Sequence, residues 1–179
     1  MTMTITEALA EIKLLGNKLE KKREFVLQNT MKVKQAPDPM ANAGGIKQVI
    51  QNELQSIDDL ERRLCILRVA IMAVNVGSEV TIMGLTKPLY AWLVWRKEIA
   101  SNQKNFFKRI YDVTKNEMDS LAKAPRLYKT SDEMAPTLVE IEPNLDYMSF
   151  ANKAATVGEI LDKLDGILSL KNATLLIDV

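Results

Sequence analysis

The stretch IDDLERRLCILRVAIMAV, residues 57–74, carries the pattern that decides the fold of this chain. Its apolar side chains recur at alternating spacings of three and four residues, at Ile57, Leu60, Leu64, Leu67, Ile71 and Val74. This spacing lines one side of a helix with apolar groups, and a seam of this length packs along a second helix. We therefore expect a long helix, from about Ile46 to Asn75, that lies against another helix.

The N-terminal part of the chain offers the partner helix. Thr4 followed by Glu7 is a capping-box pattern, so we expect a first helix to begin there and to run to about Thr30. Arg23 falls on the apolar seam of this helix, where it needs an oppositely charged partner or a place at the edge. Two prolines and a glycine pair in residues 35–45 oppose both helix and strand. The two helices should therefore fold back on each other as an antiparallel hairpin around this loop.

The second half of the chain predicts two further helices and little strand. We expect a miniature hairpin at residues 79–87 around Met83-Gly84, where Met83 replaces the Asn that suits such a turn better. Pro88 suits the first turn of a third helix, which ends near Leu121, and the sequence allows a break in this helix near residues 101–102. The remaining predicted elements are an irregular Pro-containing segment at 124–145 with an extended piece from Thr137 to Ile141, a fourth helix from about Leu145 to Leu170, and a strand at 174–179.

These elements define the expected fold class, which is mainly α. It consists of a long antiparallel helical hairpin plus two further helices, with a small antiparallel β patch made of hairpin 79–87 and C-terminal strand 174–179. The terminal strand is expected to pair with the hairpin, because it needs a ladder and the hairpin is the nearest candidate. One helical domain, residues 1–179, is enough for a chain of this length.

Composition excludes several classes of active site. The chain has no histidine, which removes the most adaptable general base and the commonest metal ligand. Its single cysteine, Cys65, excludes an intrachain disulfide and a Cys-cluster metal site. No nucleophile–base pair or phosphate-binding loop is visible. We therefore expect a protein that is not an enzyme and that uses no metal and no cofactor.

The distribution of charge and hydrophobicity limits the cellular locations and the kinds of partner that we expect for the protein. No apolar run approaches the ~20 residues that span a bilayer, and the N-terminus lacks the regions of a signal peptide, so we expect a cytoplasmic protein with no membrane partner. Residues 86–115 carry seven basic against two acidic residues, whereas residues 131–179 carry three against nine. This polarity favours head-to-tail contact or an anion site on the basic segment.

The basic segment contains the candidate ligand-binding residues. Two indoles beside a guanidinium and an ammonium, at Trp92, Trp95, Arg96 and Lys97, can stack on a base and hold a phosphate. Further positive charge follows on the same helix at Lys104, Lys108 and Arg109. The alternative is that both tryptophans belong to the core and that the charged side chains are simply solvated.

Five short stretches, spread along most of the chain, carry a resemblance to known proteins: residues 5–13, 21–25, 80–86, 92–98 and 170–174. On these stretches the chain resembles a group of bacterial and phage proteins, some of whose bacterial relatives carry the label septicolysin-like. The resemblance implies a helical, non-enzymatic, phage-encoded protein, and it implies no catalytic residue.

Two functions are compatible with these observations. The first is a homo-oligomer whose aromatic and basic pocket binds or sequesters an anionic, nucleotide-like small molecule, such as a nucleotide immune signal of the infected host cell, with an anti-defence role. The second is a structural or assembly component of a phage virion, in which long helices pack into a multimer. In both, the protein is its own partner, and we do not expect a nucleic-acid partner.

Overall fold

The computed structural model describes residues 2–31, 37–123, 127–128, 137–138 and 142–179. Most of these residues are helical, and short antiparallel strand pairs accompany the helices, which confirms the mainly α fold class with a small β component. The chain divides into two compact units, one made of Met1–Ser78 with Leu168–Val179 and the other of Glu79–Ile167. That residues 1–179 form a single domain stays a prediction.

The first unit is built on the predicted helical hairpin. Helix α1 spans Ile5–Gln28 and helix α2 spans Ile46–Gly77, two residues beyond the predicted end. The capping box at the start of α1 is confirmed, since the Glu7 amide donates to Thr4 Oγ1 at 3.2 Å and the Thr4 amide donates to Glu7 Oε2 at 2.7 Å. Among the described residues, three ion pairs join the two helices: Glu11–Arg63, Lys22–Glu53 and Arg23–Glu61. The first two follow the order of an antiparallel pair.

The seam of α2 forms the core of this unit. Leu67 is fully buried, and the partly buried Leu60, Leu64, Ile71 and Val74 pack against the same cluster. From α1 the cluster receives Ile5, Ala8 and Leu15. Arg23, which the sequence places on the α1 seam, obtains the charged partner that it needs in Glu61.

The expected three-stranded patch is wrong. The C-terminal strand β6, Leu176–Asp178, pairs antiparallel with strand β1, Thr2–Thr4, and not with the hairpin at 79–87. The reason is alternation along the two strands: Met3 and its partner Ile177 both point into the core, which makes this pairing an apolar contact as well as a ladder. The strand at Thr2–Thr4 is only three residues long, so it gives little sequence signal.

The loop before α2 is organised by one carboxylate. A 3₁₀ turn spans Ala41–Ala43, and both Gly44 and Gly45 adopt a positive φ that L side chains rarely reach. The Asp38 carboxylate accepts hydrogen bonds from the amides of Met40 and Ile46, at 2.9 and 3.1 Å, and so satisfies an amide of the first turn of α2. Of the predicted loop, residues 35–36 lie outside the described part of the chain.

The second unit contains a β-hairpin and two long helical segments. Its elements are strand β2 at Glu79–Ile82, strand β3 at Leu85–Pro88, helix α3 at Leu89–Val94, a π-helical segment at Trp95–Ala100, helix α4 at Ser101–Lys123, strand β4 at Leu127–Tyr128, strand β5 at Thr137–Leu138, and most of helix α5. Helix α5 spans Tyr147–Thr174, and its residues from Leu168 onward belong to the first unit. β4 and β5 pair antiparallel. Most of the predicted irregular segment 124–145 and residues 139–141 of its extended piece lie outside the described part.

The break that the sequence allows near residues 101–102 does not occur. The chain stays helical through this region, and the irregularity is the π-helical segment just before it. No helix in the described part of the chain combines the length and the apolar composition needed to cross a membrane.

Candidate ligand pocket

The hairpin fixes the first tryptophan of the site. Trp92 is 1% exposed, and its indole nitrogen donates a hydrogen bond to the Val80 carbonyl oxygen at 3.0 Å. Its ring meets that of Trp95 edge to face, with centroids 5.7 Å apart and an interplanar angle of 85°, which is a favourable arrangement for two aromatic rings. Trp92 is thus a core residue that positions Trp95, which is only half-buried.

The π-helical segment decides what Trp95 faces. In a regular α-helix the side chain seven residues later shares a face with it, but the wider i→i+5 turn adds in effect one residue. Gln103, eight residues after Trp95, therefore comes onto its face, and the Trp95 indole nitrogen donates to Gln103 Oε1 at 3.2 Å. A π-helical turn of this kind is frequently found at a functional site.

An open pocket of about 350 Å³ lies between the hairpin, the π-containing helix and α5. Its walls are largely aromatic and aliphatic, and its polar side chains come from three separate elements. The residues that line it are Leu85, Lys87, Trp92, Trp95, Gln103, Phe107, Lys153, Thr156, Val157 and Ile160. Such a pocket, apolar with a few convergent polar groups, is typical of a small-molecule site.

The charge of the pocket has one sign. Lys87 Nζ lies 5.0 Å from the centroid of the Trp92 ring, and Lys153 Nζ lies 4.4 Å from the centroid of the Phe150 ring. Neither ammonium forms a salt bridge with another described residue. The described lining residues include no aspartate and no glutamate. The pocket therefore presents a positive potential that attracts an anion.

The uncharged polar groups strengthen this preference. Because Gln103 Oε1 accepts the Trp95 hydrogen bond, the carboxamide has its NH₂ group left to donate. The Thr156 hydroxyl donates to the Asn152 carbonyl oxygen at 2.9 Å, so it can offer a ligand only its lone pairs. Two ammonium groups and one amide NH₂ are thus donors, against one weak acceptor, and a ligand rich in acceptor oxygens matches them best.

The predicted site residues do not all meet in this pocket. Trp92 and Trp95 line it. Arg96 instead pairs with Asp165 of α5 at 2.7 Å, and Lys97 is exposed. An added Cβ at Gly158 would lie 3.2 Å from Lys104 Nζ, so the lysine extends across α5 beside that glycine.

Arg109 belongs to a different depression, of about 450 Å³, on the exposed side of α4. Its lining is otherwise apolar or uncharged and consists of Phe106, Ile110, Val113, Thr114 and Leu145. Of the five basic side chains named from the sequence, Arg96, Lys97, Lys104, Lys108 and Arg109, none lines the pocket beside Trp95.

Sequence reasoning missed the residues that complete the pocket. Lys87 belongs to the basic segment 86–115, but nothing in the spacing joins it to the tryptophans. Lys153 lies in the acidic C-terminal part of the chain, 58 residues after Trp95, and only the packing of α5 brings it to the site. The position of Gln103 beside Trp95 depends on the π-helical turn. No pattern of apolar residues in the sequence predicts that turn.

Comparison with known proteins adds no family to these observations. No protein-family model, no curated protein and no solved structure matches the chain.

Proposed function

We propose that this protein is a non-enzymatic homo-oligomer that binds and sequesters an anionic small molecule with a planar ring. The observation that carries the proposal is the pocket beside Trp95, whose walls are aromatic and whose polar groups are almost all donors. A planar ring would stack on the half-buried Trp95 indole. Its anionic group would lie between Lys87 and Lys153, which have no acidic partner among the described residues.

A nucleotide is the ligand class that joins these two properties in one molecule. Aromatic stacking is tolerant of the base, and ammonium groups hold phosphate oxygens through charge-assisted hydrogen bonds. The resemblance to the phage and septicolysin-like group is the ground for proposing that the nucleotide is an immune signal of the host cell, and that its removal is an anti-defence activity in the cytoplasm. Sequestration requires only tight binding, so the chain needs no catalytic group.

A thermal-shift screen tests this function directly. Nucleoside mono-, di- and triphosphates and cyclic nucleotides are added to the full-length protein, and hits are confirmed by isothermal titration calorimetry. A ligand at about 100 times its Kd adds about 2.7 kcal/mol to the stability of the folded state, which corresponds to roughly 5–10 °C for a chain of this size. Trp95→Ala and the double variant Lys87→Ala/Lys153→Ala should both lose this shift.

The controls separate ligand binding from folding. Circular dichroism must show that the variants keep their helical signal, which is expected because Lys87 and Lys153 have no ion pair among the described residues to lose. If no nucleotide raises the melting temperature of the intact protein, sequestration of nucleotides is wrong. The structural or assembly role in a virion would then be the better proposal. Detection of the protein in purified virions tests that role.

A further inference from the structure

Helix α2 carries a second apolar stripe on the side away from its core seam. Its members follow the spacing four, three, four: Cys65, Val69, Met72 and Val76. Val69 is 54% exposed, Met72 48% and Val76 52%, and Cys65 is exposed as well. A helix with apolar stripes on two opposite sides is typical of bundles of more than two helices. In the first unit, α1 covers only one of these sides.

The charges along this stripe select an orientation. From Leu64 to Ser78 the only charged residue is Arg68. Continued toward the N-terminus with the same spacing, the stripe runs into Arg62 and then Asp58, both exposed. A parallel helix of the same sequence would place Arg62 on Arg62 and Asp58 on Asp58, and like charges that face each other are destabilising. An antiparallel helix of the same sequence meets apolar groups over the whole stripe.

We propose that α2 of a second copy of this chain packs antiparallel on this outer stripe. A two-fold axis between Val69 and Met72 places Val69 opposite Met72 of the partner subunit and Cys65 opposite Val76 of the partner subunit. The charged residues Arg62 and Asp58 then lie beyond the end of the partner's α2, which stops at Gly77, and neither faces its own copy. The surface is its own complement, as an interface with two-fold symmetry requires.

The length of the stripe sets the strength of the contact. Twelve residues, from Cys65 to Val76, span about 18 Å at 1.5 Å per residue, which is short for an interface of standard size. The dimer should therefore dissociate on dilution through the micromolar range. This inference rests on the homo-oligomer part of the proposed function and is independent of the ligand pocket.

Sedimentation equilibrium of the full-length protein, from 1 to 200 µM and without ligand, tests the interface. The wild-type mass should rise with concentration from one toward two chains. Val69→Glu and Met72→Glu should each weaken association at least tenfold, while Leu14→Glu, which changes an exposed leucine of α1, should leave it unchanged. A wild type that is monomeric throughout, or glutamate variants that associate like the wild type, would overturn the proposal.

Cysteine cross-linking tests the orientation. Under mild oxidation Val76→Cys should give a covalent dimer through the native Cys65, and the wild type should not. A wild-type dimer linked through Cys65 alone would show a parallel pair and refute the antiparallel arrangement. A failure of the ligand pocket shows itself differently, as the loss of the ligand-induced thermal shift at unchanged mass.

Discussion

The indole nitrogen of Trp95 donates a hydrogen bond to Gln103 Oε1, eight residues further along the same helix, at 3.2 Å. The bond exists because the π-helical segment Trp95–Ala100 turns Gln103 onto the face of Trp95. It fixes the orientation of the carboxamide, since the donor N–H must face the oxygen. The amide NH₂ is thereby left as a donor for a ligand, which ties a local helix distortion to the chemistry of the pocket.

Gln103→Glu should weaken binding of an anionic ligand at least tenfold. The glutamate keeps an acceptor for the Trp95 indole, so the helix is preserved, but it replaces a donor by a negative charge in the pocket. Isothermal titration calorimetry at pH 7 with the best nucleotide from the screen measures the change. Equal affinity of the variant and the wild type would show that the ligand does not contact this side chain.

Arg96→Ala is the variant that distinguishes the structure from the sequence pattern. The pattern beside Trp95 predicts that Arg96 holds the anion and that its removal abolishes binding. In the structure Arg96 pairs with Asp165 and does not line the pocket, so we expect less than a threefold change in the Kd. Loss of binding in Arg96→Ala, with an unchanged helical signal, would move the site from the pocket to the surface around Arg96.

The long helices could be predicted because their signals are local and repeated. The seam from Ile57 to Val74 and the capping box at Thr4 and Glu7 each depend on residues within one element, and the structure has both. The pairing of the C-terminal strand could not be predicted in the same way. It depends on Met3 and Ile177, which are 174 residues apart and meet only in the folded core.

The candidate site was predictable only in part, for a related reason. Trp92 and Trp95 stand out as neighbouring aromatic residues in a basic segment, and both line the pocket. The side chains that give the pocket its charge come from strand β3 and from α5, and sequence spacing does not relate Lys87 to Lys153. Sequence spacing also does not show that Arg96 forms an ion pair with Asp165.

Leu67→Ala should be the most damaging single change on the α2 seam. Leu67 is 0% exposed within the core cluster of the first unit, and truncation of such a leucine costs about 2–5 kcal/mol. Leu64→Ala should cost less, because Leu64 is only partly buried. Urea unfolding followed by circular dichroism measures both, with the exposed Lys21→Ala as a near-neutral control. An unchanged midpoint for Leu67→Ala would mean that the seam does not form the core.

Glu11→Gln should reveal a pH-dependent contribution to stability. Arg63 donates hydrogen bonds to both carboxylate oxygens, at 2.8 and 3.1 Å, and this contact lowers the pKa of Glu11 below its ordinary value. A lowered pKa stabilises the folded state above the unfolded pKa of about 4.3, and this contribution disappears as the pH falls through the folded pKa. At pH 7 the variant should be less stable by about 0.5–1 kcal/mol.

The quantity to follow is the difference in the free energy of unfolding between the wild type and Glu11→Gln. The stability of either protein alone is not sufficient. Other carboxylates also titrate below pH 5, but they do so in both proteins and cancel. The difference should shrink toward zero between pH 5 and pH 2. Glu20→Gln, at an exposed glutamate of the same helix, is the matched control and should change the stability at pH 7 by less than about 0.5 kcal/mol. A Glu11→Gln difference that is constant with pH would exclude the ionised pair as its cause.

Met83→Asn should stabilise the hairpin that carries Lys87 to the pocket. Met83 has φ of 50° and Gly84 has φ of 80°, the combination of a two-residue turn with positive φ at both central positions. Methionine adopts this conformation at a cost that Asn largely avoids, and Met83 is too exposed to lose much burial. We expect a gain of about 0.5–1 kcal/mol, or roughly 1–4 °C in melting temperature.

Met83→Val is the matched control for the turn, because a β-branched residue tolerates positive φ poorly and should lower the melting temperature. Met83 does not line the pocket, so ligand affinity should stay within about twofold in Met83→Asn. A fall in melting temperature for Met83→Asn would mean that the positive φ at this position is not what limits the hairpin. Since β3 supplies Lys87 and β2 supplies the Val80 carbonyl that holds Trp92, a stabilised turn with weakened binding would show that the hairpin must move to admit the ligand.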